Sequence, residues 1–147
     1  MRQFLKQFLR RFTGSASADN LPDIVQSDEP LTRFVFASAH FAVSTGRVRP
    51  QAFLPGKDLE TSVYRIAKLA DAEIWGMGKV IRKEPLKARA DITCEVPRQH
   101  TLRVEAAPED HPRHAVIVGW PKEKDGQKML AIQLSQNAIL QIFPGNI

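Results

Sequence analysis

Residues 1–12, MRQFLKQFLRRF, have the clearest helical pattern in the chain. Their large apolar residues recur at spacings of one and four positions, which places them on one face of a helix. The remaining positions are polar or basic and include no acid. We therefore predict an amphipathic basic helix whose apolar face is an interaction arm. That face consists of Phe4, Leu5, Phe8, Leu9 and Phe12.

The next segment, residues 13–30, is rich in serine, glycine, proline and acidic residues. It contains four acids and no base, a composition typical of a flexible acidic linker. We expect the globular domain to cover residues 31–147, with its core pattern beginning at Leu31. Because an apolar helix face is unfavourable in water, the arm is expected to pack on a protein partner or on a second copy of the chain. Peripheral contact with a membrane is the less favoured alternative.

Within the domain, short apolar segments bounded by turn residues predict six strands. The fourth and fifth segments alternate between apolar and polar positions and are joined by a short link, which predicts an antiparallel hairpin. The sixth segment is continuously apolar, which predicts a central strand that is covered on both faces. In chain order, the predicted strands are residues 33–43, 48–54, 61–66, 90–96, 101–106 and 115–120.

Two helices are predicted in the domain. Residues 71–83 begin with acids and end with bases, as helices favour, although Gly76 and Gly78 each cost about 1 kcal/mol relative to alanine. Residues 125–143 form the second predicted helix, with Asp125 as its N-cap. Together these elements predict a single α+β domain, in which a mixed, mostly antiparallel sheet carries two packed helices.

Composition narrows the class of protein. A chain of 147 residues with 43% hydrophobic and 25% charged residues suits one folded domain and excludes collagen-like or fully disordered classes. Its apolar segments are far shorter than the roughly 20 residues that a membrane helix needs. The single cysteine, Cys94, excludes an intrachain disulfide and lies on the apolar face of a predicted strand. A reducing compartment, and so a cytoplasmic location, is expected.

Charge makes an anionic partner the leading hypothesis. The net charge is +5, and residues 79–89 alone hold five bases and one acid. Such a basic segment can contact phosphates, and Trp75 and Tyr64 offer surfaces on which bases can stack. The alternative is a solvated helix end with no partner. We predict an accessory or binding module without a cofactor, for nucleic acid first. Its predicted binding residues are Lys79, Arg82, Lys83, Lys87, Arg89, Arg98 and His100.

The second hypothesis is a small histidine-dependent enzyme that acts on a phosphate-containing substrate. Residues 109–114, EDHPRH, combine two acids, two histidines and an arginine. Two histidines with a cation suffice for general acid–base cleavage of a phosphodiester, and an H-x-x-H pair can share a metal for hydrolysis. An exposed polar turn without a metal is the favoured interpretation of this segment. For an enzyme, at least two histidines should share one pocket with an arginine or aspartate. The candidate catalytic residues are Arg33, His40, Asp110, His111 and His114.

Overall fold

The computed structural model describes residues 21–145 of the chain. The arm predicted over residues 1–12 lies outside the described residues, and so does the linker as far as residue 20. Within the described range, no helix is long and apolar enough to cross a membrane.

The described residues form eight strands. They are β1 (Pro30–Val35), β2 (Phe41–Ala42), β3 (Arg47–Val48), β4 (Thr61–Arg65), β5 (Ala88–Thr93), β6 (Arg103–Ala106), β7 (His114–Val118) and β8 (Ile139–Ile142). Six of them build one antiparallel sheet in the order β6-β7-β4-β1-β5-β8, and β2 pairs with β3 in a separate hairpin. β7 corresponds to the continuously apolar segment and lies inside the sheet, between β6 and β4.

Three α-helices accompany the sheet in this part of the chain: α1 (Asp71–Val80), α2 (Glu95–Gln99) and α3 (Lys124–Gln136). Two short 3₁₀ helices, Ser38–His40 and Pro50–Phe53, lie between β1 and β4. The predicted α+β class and the antiparallel character of the sheet are confirmed. The predicted helix at residues 71–83 is also confirmed, although α1 ends at Val80.

Each face of the sheet has its own apolar core. On one face, Leu31 of β1 and Val63 of β4 belong to a large cluster that includes Leu134 of α3. On the other face, Phe34 of β1 packs with Ile74 of α1. Successive strand residues point to opposite faces, so β1 supplies both cores. The result is a sheet between two layers, with α1 on one side and α3 on the other.

The predicted hairpin between residues 90–96 and 101–106 is wrong. β5 pairs with β1 and β8, whereas β6 pairs with β7 at the other edge of the sheet. The physical reason is α2, which occupies the short link and buries Pro97. A helical link carries the chain away from β5, so the two alternating strands cannot become neighbours.

Two further elements differ from prediction in the first half of the domain. The strand predicted over residues 33–43 stops at Val35, and a 3₁₀ helix separates it from β2. The strand predicted over residues 48–54 includes only Val48, because Pro50 begins a 3₁₀ helix. Proline fixes φ near the helical value and lacks a donor for sheet pairing, which accounts for the second difference.

The long helix predicted over residues 125–143 is divided in two. α3 ends at Gln136, and β8 follows as an edge strand paired with β5. Asp125 lies inside the first turn, whereas Glu123 occupies the N-cap position without a side-chain capping bond. The predicted N-cap is therefore corrected by two positions.

Part of the predicted linker, residues 22–30, packs against the domain. Val25 is only 1% exposed and belongs to the larger core. Glu29 forms an ion pair with Arg65 of β4, and both side chains are buried. The folded part of the chain therefore begins before the boundary that was predicted at Leu31.

Candidate anion-binding site

Arg33 lies where the pairing of β1 with β4 ends. The last paired residues are Thr32 and Tyr64. Beyond them, Nη1 of Arg33 donates to the carbonyl oxygen of Ser62 at 2.9 Å, and Nε donates to the carbonyl oxygen of Ala52 at 2.9 Å. At the end of the β1–β4 pairing, the Arg33 guanidinium thus donates where a backbone N–H would otherwise donate. Neutral carbonyls fix its orientation and leave its positive charge uncompensated.

A small cleft of about 110 Å³ opens beside this guanidinium. Arg82, which follows α1, approaches from above the ring of Phe36, with its guanidinium carbon 5.2 Å from the ring centre. We call this feature the arginine cleft. It is lined by Arg33, Phe34, Phe36, Ser62, Tyr64, Ile81 and Arg82.

Two guanidinium groups share the arginine cleft without a carboxylate partner. Among residues 21–145, the ion pairs involve other arginines, and neither Arg33 nor Arg82 takes part in one. Burial first, and the charge of Arg82 second, lower the pKa of Arg33 to about 10. Arg33 therefore remains protonated at neutral pH and repels Arg82. An anion in the cleft would relieve both the repulsion and the loss of hydration.

Tyr64 supplies a phenol at the cleft and the centre of an aromatic cluster behind it. Its ring centre lies 5.5 Å from that of Phe34, 5.7 Å from that of His111 and 5.3 Å from that of His114. Burial is the main cause that raises the pKa of Tyr64, and Asp110 adds to the increase. The phenol is therefore protonated at neutral pH and available as a hydrogen-bond donor.

The histidines of the EDHPRH segment have partners within the fold. Nδ1 of His114 lies 3.0 Å from the carbonyl oxygen of Ala107, and Nε2 lies 3.0 Å from Oγ of Ser62. A carbonyl oxygen only accepts, so the neutral ring carries its proton on Nδ1 and accepts the Ser62 hydroxyl at Nε2. Nδ1 of His111 accepts the backbone N–H of Arg113 at 3.0 Å. Within the described part of the chain, no three potential metal-ligating side chains are grouped to hold an ion.

The residues predicted as catalytic gather around the arginine cleft, but only Arg33 lines it. His111 and His114 contact the ring of Tyr64. His40 lies close enough to Arg33 for the arginine charge to lower its pKa, although burial is the larger cause. The structure thus brings the predicted residues to one region, and no histidine lines the arginine cleft itself.

The predicted basic residues do not form a single surface. Arg98 and His100 lie beyond the far end of β5, a strand of six residues, roughly 17 Å or more from its start. Arg98 is also engaged by the N-terminal segment, because it donates to Oγ of Ser27 at 2.9 Å. Among the predicted basic residues, the exposed ones surround the connection from α1 to β5. They are Lys79, Arg82, Lys83 and Lys87.

Arg89 and Trp75 are buried, so neither is part of the surface predicted to contact nucleic acid. Arg89 is 3% exposed and bonds Asp71 and Asp91, at 3.0 and 3.3 Å. Its guanidinium carbon lies 4.8 Å from the ring centre of Trp75, which is 5% exposed. Both side chains connect α1 to β5 and stabilise the apolar core on the α1 face of the sheet.

Sequence reasoning did not identify Phe36 or Ser62 as residues of the cleft. A signal existed for Phe36: three large apolar residues follow Arg33 in succession, and a strand of period two cannot direct all of them to one core. No local signal distinguishes Ser62, whose role depends on β7 and β1 lying on either side of β4.

Comparisons with protein-family models, with curated proteins and with solved structures found no match to this chain. The candidate function is therefore argued from the geometry and charge of the arginine cleft.

Proposed function

We propose that this protein is a binding module for an anionic partner, and that the partner is nucleic acid. The observation that carries the proposal is the convergence of Arg33 and Arg82 on one cleft without a carboxylate. Arginine presents a planar set of donors that matches the oxygens of a phosphate. Arg33 is largely withdrawn from water and Arg82 is exposed beside it, so an anion bound between them would compensate both charges.

The surroundings of the arginine cleft support a single-stranded nucleic acid. Lys83 and Lys87 are exposed nearby, and the N–H of Lys87 donates to the carbonyl oxygen of Val35, which places Lys87 beside the end of β1. Phe36 and Tyr64 are half-buried and present aromatic rings next to these cations. Single-strand sites typically combine a basic path for the backbone with rings on which bases stack.

The first prediction concerns the bases around the cleft. The triple variant Arg82→Gln, Lys83→Gln, Lys87→Gln is expected to weaken binding of a single-stranded oligonucleotide similarly for all sequences, because phosphate contacts carry no sequence information. The slope of log K against log salt should fall by roughly 0.7 for each phosphate contact that is lost. Fluorescence anisotropy at several salt concentrations measures both quantities.

A variant of equal charge separates the cleft from net charge alone. Lys57, Lys122 and Lys124 are exposed, and none of them lines the arginine cleft. Their triple substitution by glutamine should leave the affinity and the salt slope close to those of the unchanged protein. Equal losses in the two triple variants would show that only overall charge matters, and the proposed site would be wrong.

A second candidate function, the histidine-dependent enzyme, is favoured by one observation. Oγ of Ser62 lies 3.0 Å from Nε2 of His114, whose Nδ1 is oriented by the carbonyl of Ala107. This is the relationship of a nucleophile, a base and an orienting group. In such a reaction Oγ would bond to phosphorus while its proton moves to Nε2. The leaving oxygen would then depart with that proton.

This candidate makes a separate prediction. If Ser62 is a nucleophile, the protein should hydrolyse a chromogenic phosphodiester, and Ser62→Ala and His114→Gln should each lower the rate about a hundredfold or more. Oligonucleotide binding by Ser62→Ala should persist, because the arginines remain. No release of chromophore by the unchanged protein would leave binding as the function of the site.

A further inference from the structure

We infer that the arginine cleft is specific for a phosphomonoester, which in a nucleic acid is the phosphate at a chain end; this inference rests on the proposed function. The cleft volume is about 110 Å³. Pockets that enclose organic ligands are typically about 300–1,000 Å³, so the cleft has room for one tetrahedral oxyanion and cannot enclose a nucleoside. A nucleic acid would therefore place a phosphate inside the cleft, with its sugar and base at the mouth beside the half-buried rings of Phe36 and Tyr64.

Charge distinguishes a terminal phosphate from an internal one. Arg33 and Arg82 contribute two positive charges to the cleft. A phosphomonoester carries a charge of about −1.5 to −2 at neutral pH, whereas an internal phosphodiester carries only one negative charge. The monoester therefore compensates both guanidinium groups, and a diester leaves about half of the positive charge unmatched.

The walls of the cleft lead to the same conclusion. Phe34, Phe36 and Ile81 line it together with the polar side chains. An internal phosphate is bonded to sugars on two sides, so both chain directions would have to pass this apolar wall. A terminal phosphate needs one exit only. Its three free oxygens can accept from the two arginines and from the phenol of Tyr64, which is protonated at neutral pH.

The test compares oligonucleotides of one sequence that end in a 5′-phosphate, a 3′-phosphate or hydroxyls only. We expect one phosphorylated end to bind roughly ten- to a hundredfold more tightly than the hydroxyl form, the range for added charge-assisted hydrogen bonds. Arg82→Gln should reduce this ratio towards one. Lys87→Gln should weaken all three oligonucleotides and leave the ratio unchanged, because Lys87 does not line the cleft.

Arg82→Gln is preferred to a substitution of Arg33, because Arg33 also bonds two backbone carbonyls that connect β1 to its neighbours. Tyr64→Phe is a second variant that removes one hydroxyl and retains the ring. It should lower the end preference by a smaller factor than Arg82→Gln. Circular dichroism of each variant confirms that the fold is intact before the ratios are compared.

The outcomes separate this inference from the proposed function. Equal binding of phosphorylated and hydroxyl ends, with a clear loss in the triple variant, would overturn the inference and retain a nucleic-acid module. Inorganic phosphate tests whether the cleft binds a phosphomonoester when nucleic acid does not bind. Suppose that no oligonucleotide binds, but phosphate raises the melting temperature more than chloride of equal ionic strength, and Arg82→Gln abolishes that difference. Nucleic acid is then the wrong partner, and the phosphomonoester site stands. If neither phosphate nor oligonucleotides bind, both proposals fail.

Discussion

A chain that lacks residues 1–30 is expected to be several kcal/mol less stable than a chain that lacks residues 1–20, or to remain unfolded. The ten-residue difference removes Glu29, the buried partner of Arg65, together with Val25 of the larger core. Removal of one partner from a buried ion pair typically costs about 3–5 kcal/mol, because the remaining charge is left without compensation. Urea unfolding followed by circular dichroism measures the difference between the two truncated chains.

The single substitution Glu29→Gln tests the same contact without truncation. Nε and Nη2 of Arg65 donate to the two carboxylate oxygens of Glu29 at 2.5 and 3.0 Å, and the side chains are 2% and 7% exposed. A neutral amide cannot compensate the guanidinium, so a loss approaching 3 kcal/mol is expected. Asp28→Asn is the matched control, because Asp28 is exposed and adjacent. If the two substitutions change stability equally, the ion pair does not stabilise the N-terminal segment.

The contact between Glu29 and Arg65 also shows why the linker boundary was misplaced. Residues 13–30 are mostly polar, and their largest apolar residues, Leu21, Ile24 and Val25, form no helical or strand period, so the local pattern is that of a loop. Residues 22–30 are held by distant partners: Arg65 of β4, 36 positions from Glu29, and Arg98, which bonds Ser27. Composition and periodicity report on neighbours along the chain, so a segment held by a distant charge shows no signal in either.

The pairing of the strands could not be predicted for the same reason: local pattern does not show which distant segments become neighbours. Alternation in residues 90–96 and 101–106 correctly indicated strands with one apolar face, since Ala90 and Val104 are both buried in the larger core. The alternation specifies a face, but it does not specify a neighbour. The partner of each strand was decided by α2, whose five residues contain a proline at a position that helices tolerate near their start.

The cationic chemistry of the arginine cleft could be predicted from the sequence, but the set of residues that forms it could not. Arg33 and Arg82 were each identified from sequence, one as a catalytic candidate and the other as part of a basic segment. Their convergence requires β1 to lie beside β5 and α1 to pack on Phe34. The interpretation changes with the convergence: separate exposed arginines are solvated charges, whereas two arginines that line one small cleft are the basis of the proposed anion site.

Gly78→Ala is expected to destabilise the domain by roughly 1–3 kcal/mol, although alanine is the better helix former. A Cβ atom at this position would lie 2.5 Å from Cε1 of Phe34 and 2.9 Å from Cδ2 of Leu86. Phe34 is 4% exposed and cannot move without disturbing the apolar core on the α1 face of the sheet. Gly76→Ala, two residues earlier on α1, should instead stabilise by about 0.5–1 kcal/mol, because nothing lies within 4 Å of its Cβ position.

These two substitutions should also differ in binding, because the close approach at Gly78 holds α1 against the sheet. Ile81 and Arg82 follow the helix directly and line the arginine cleft with Phe34. If Gly78→Ala forces α1 away from Phe34, it displaces one of the two guanidinium groups, and the preference for a phosphorylated end should fall. Gly76→Ala should keep that preference while it raises the melting temperature. A stable Gly78→Ala protein with full end preference would show that the helix position does not set the geometry of the cleft.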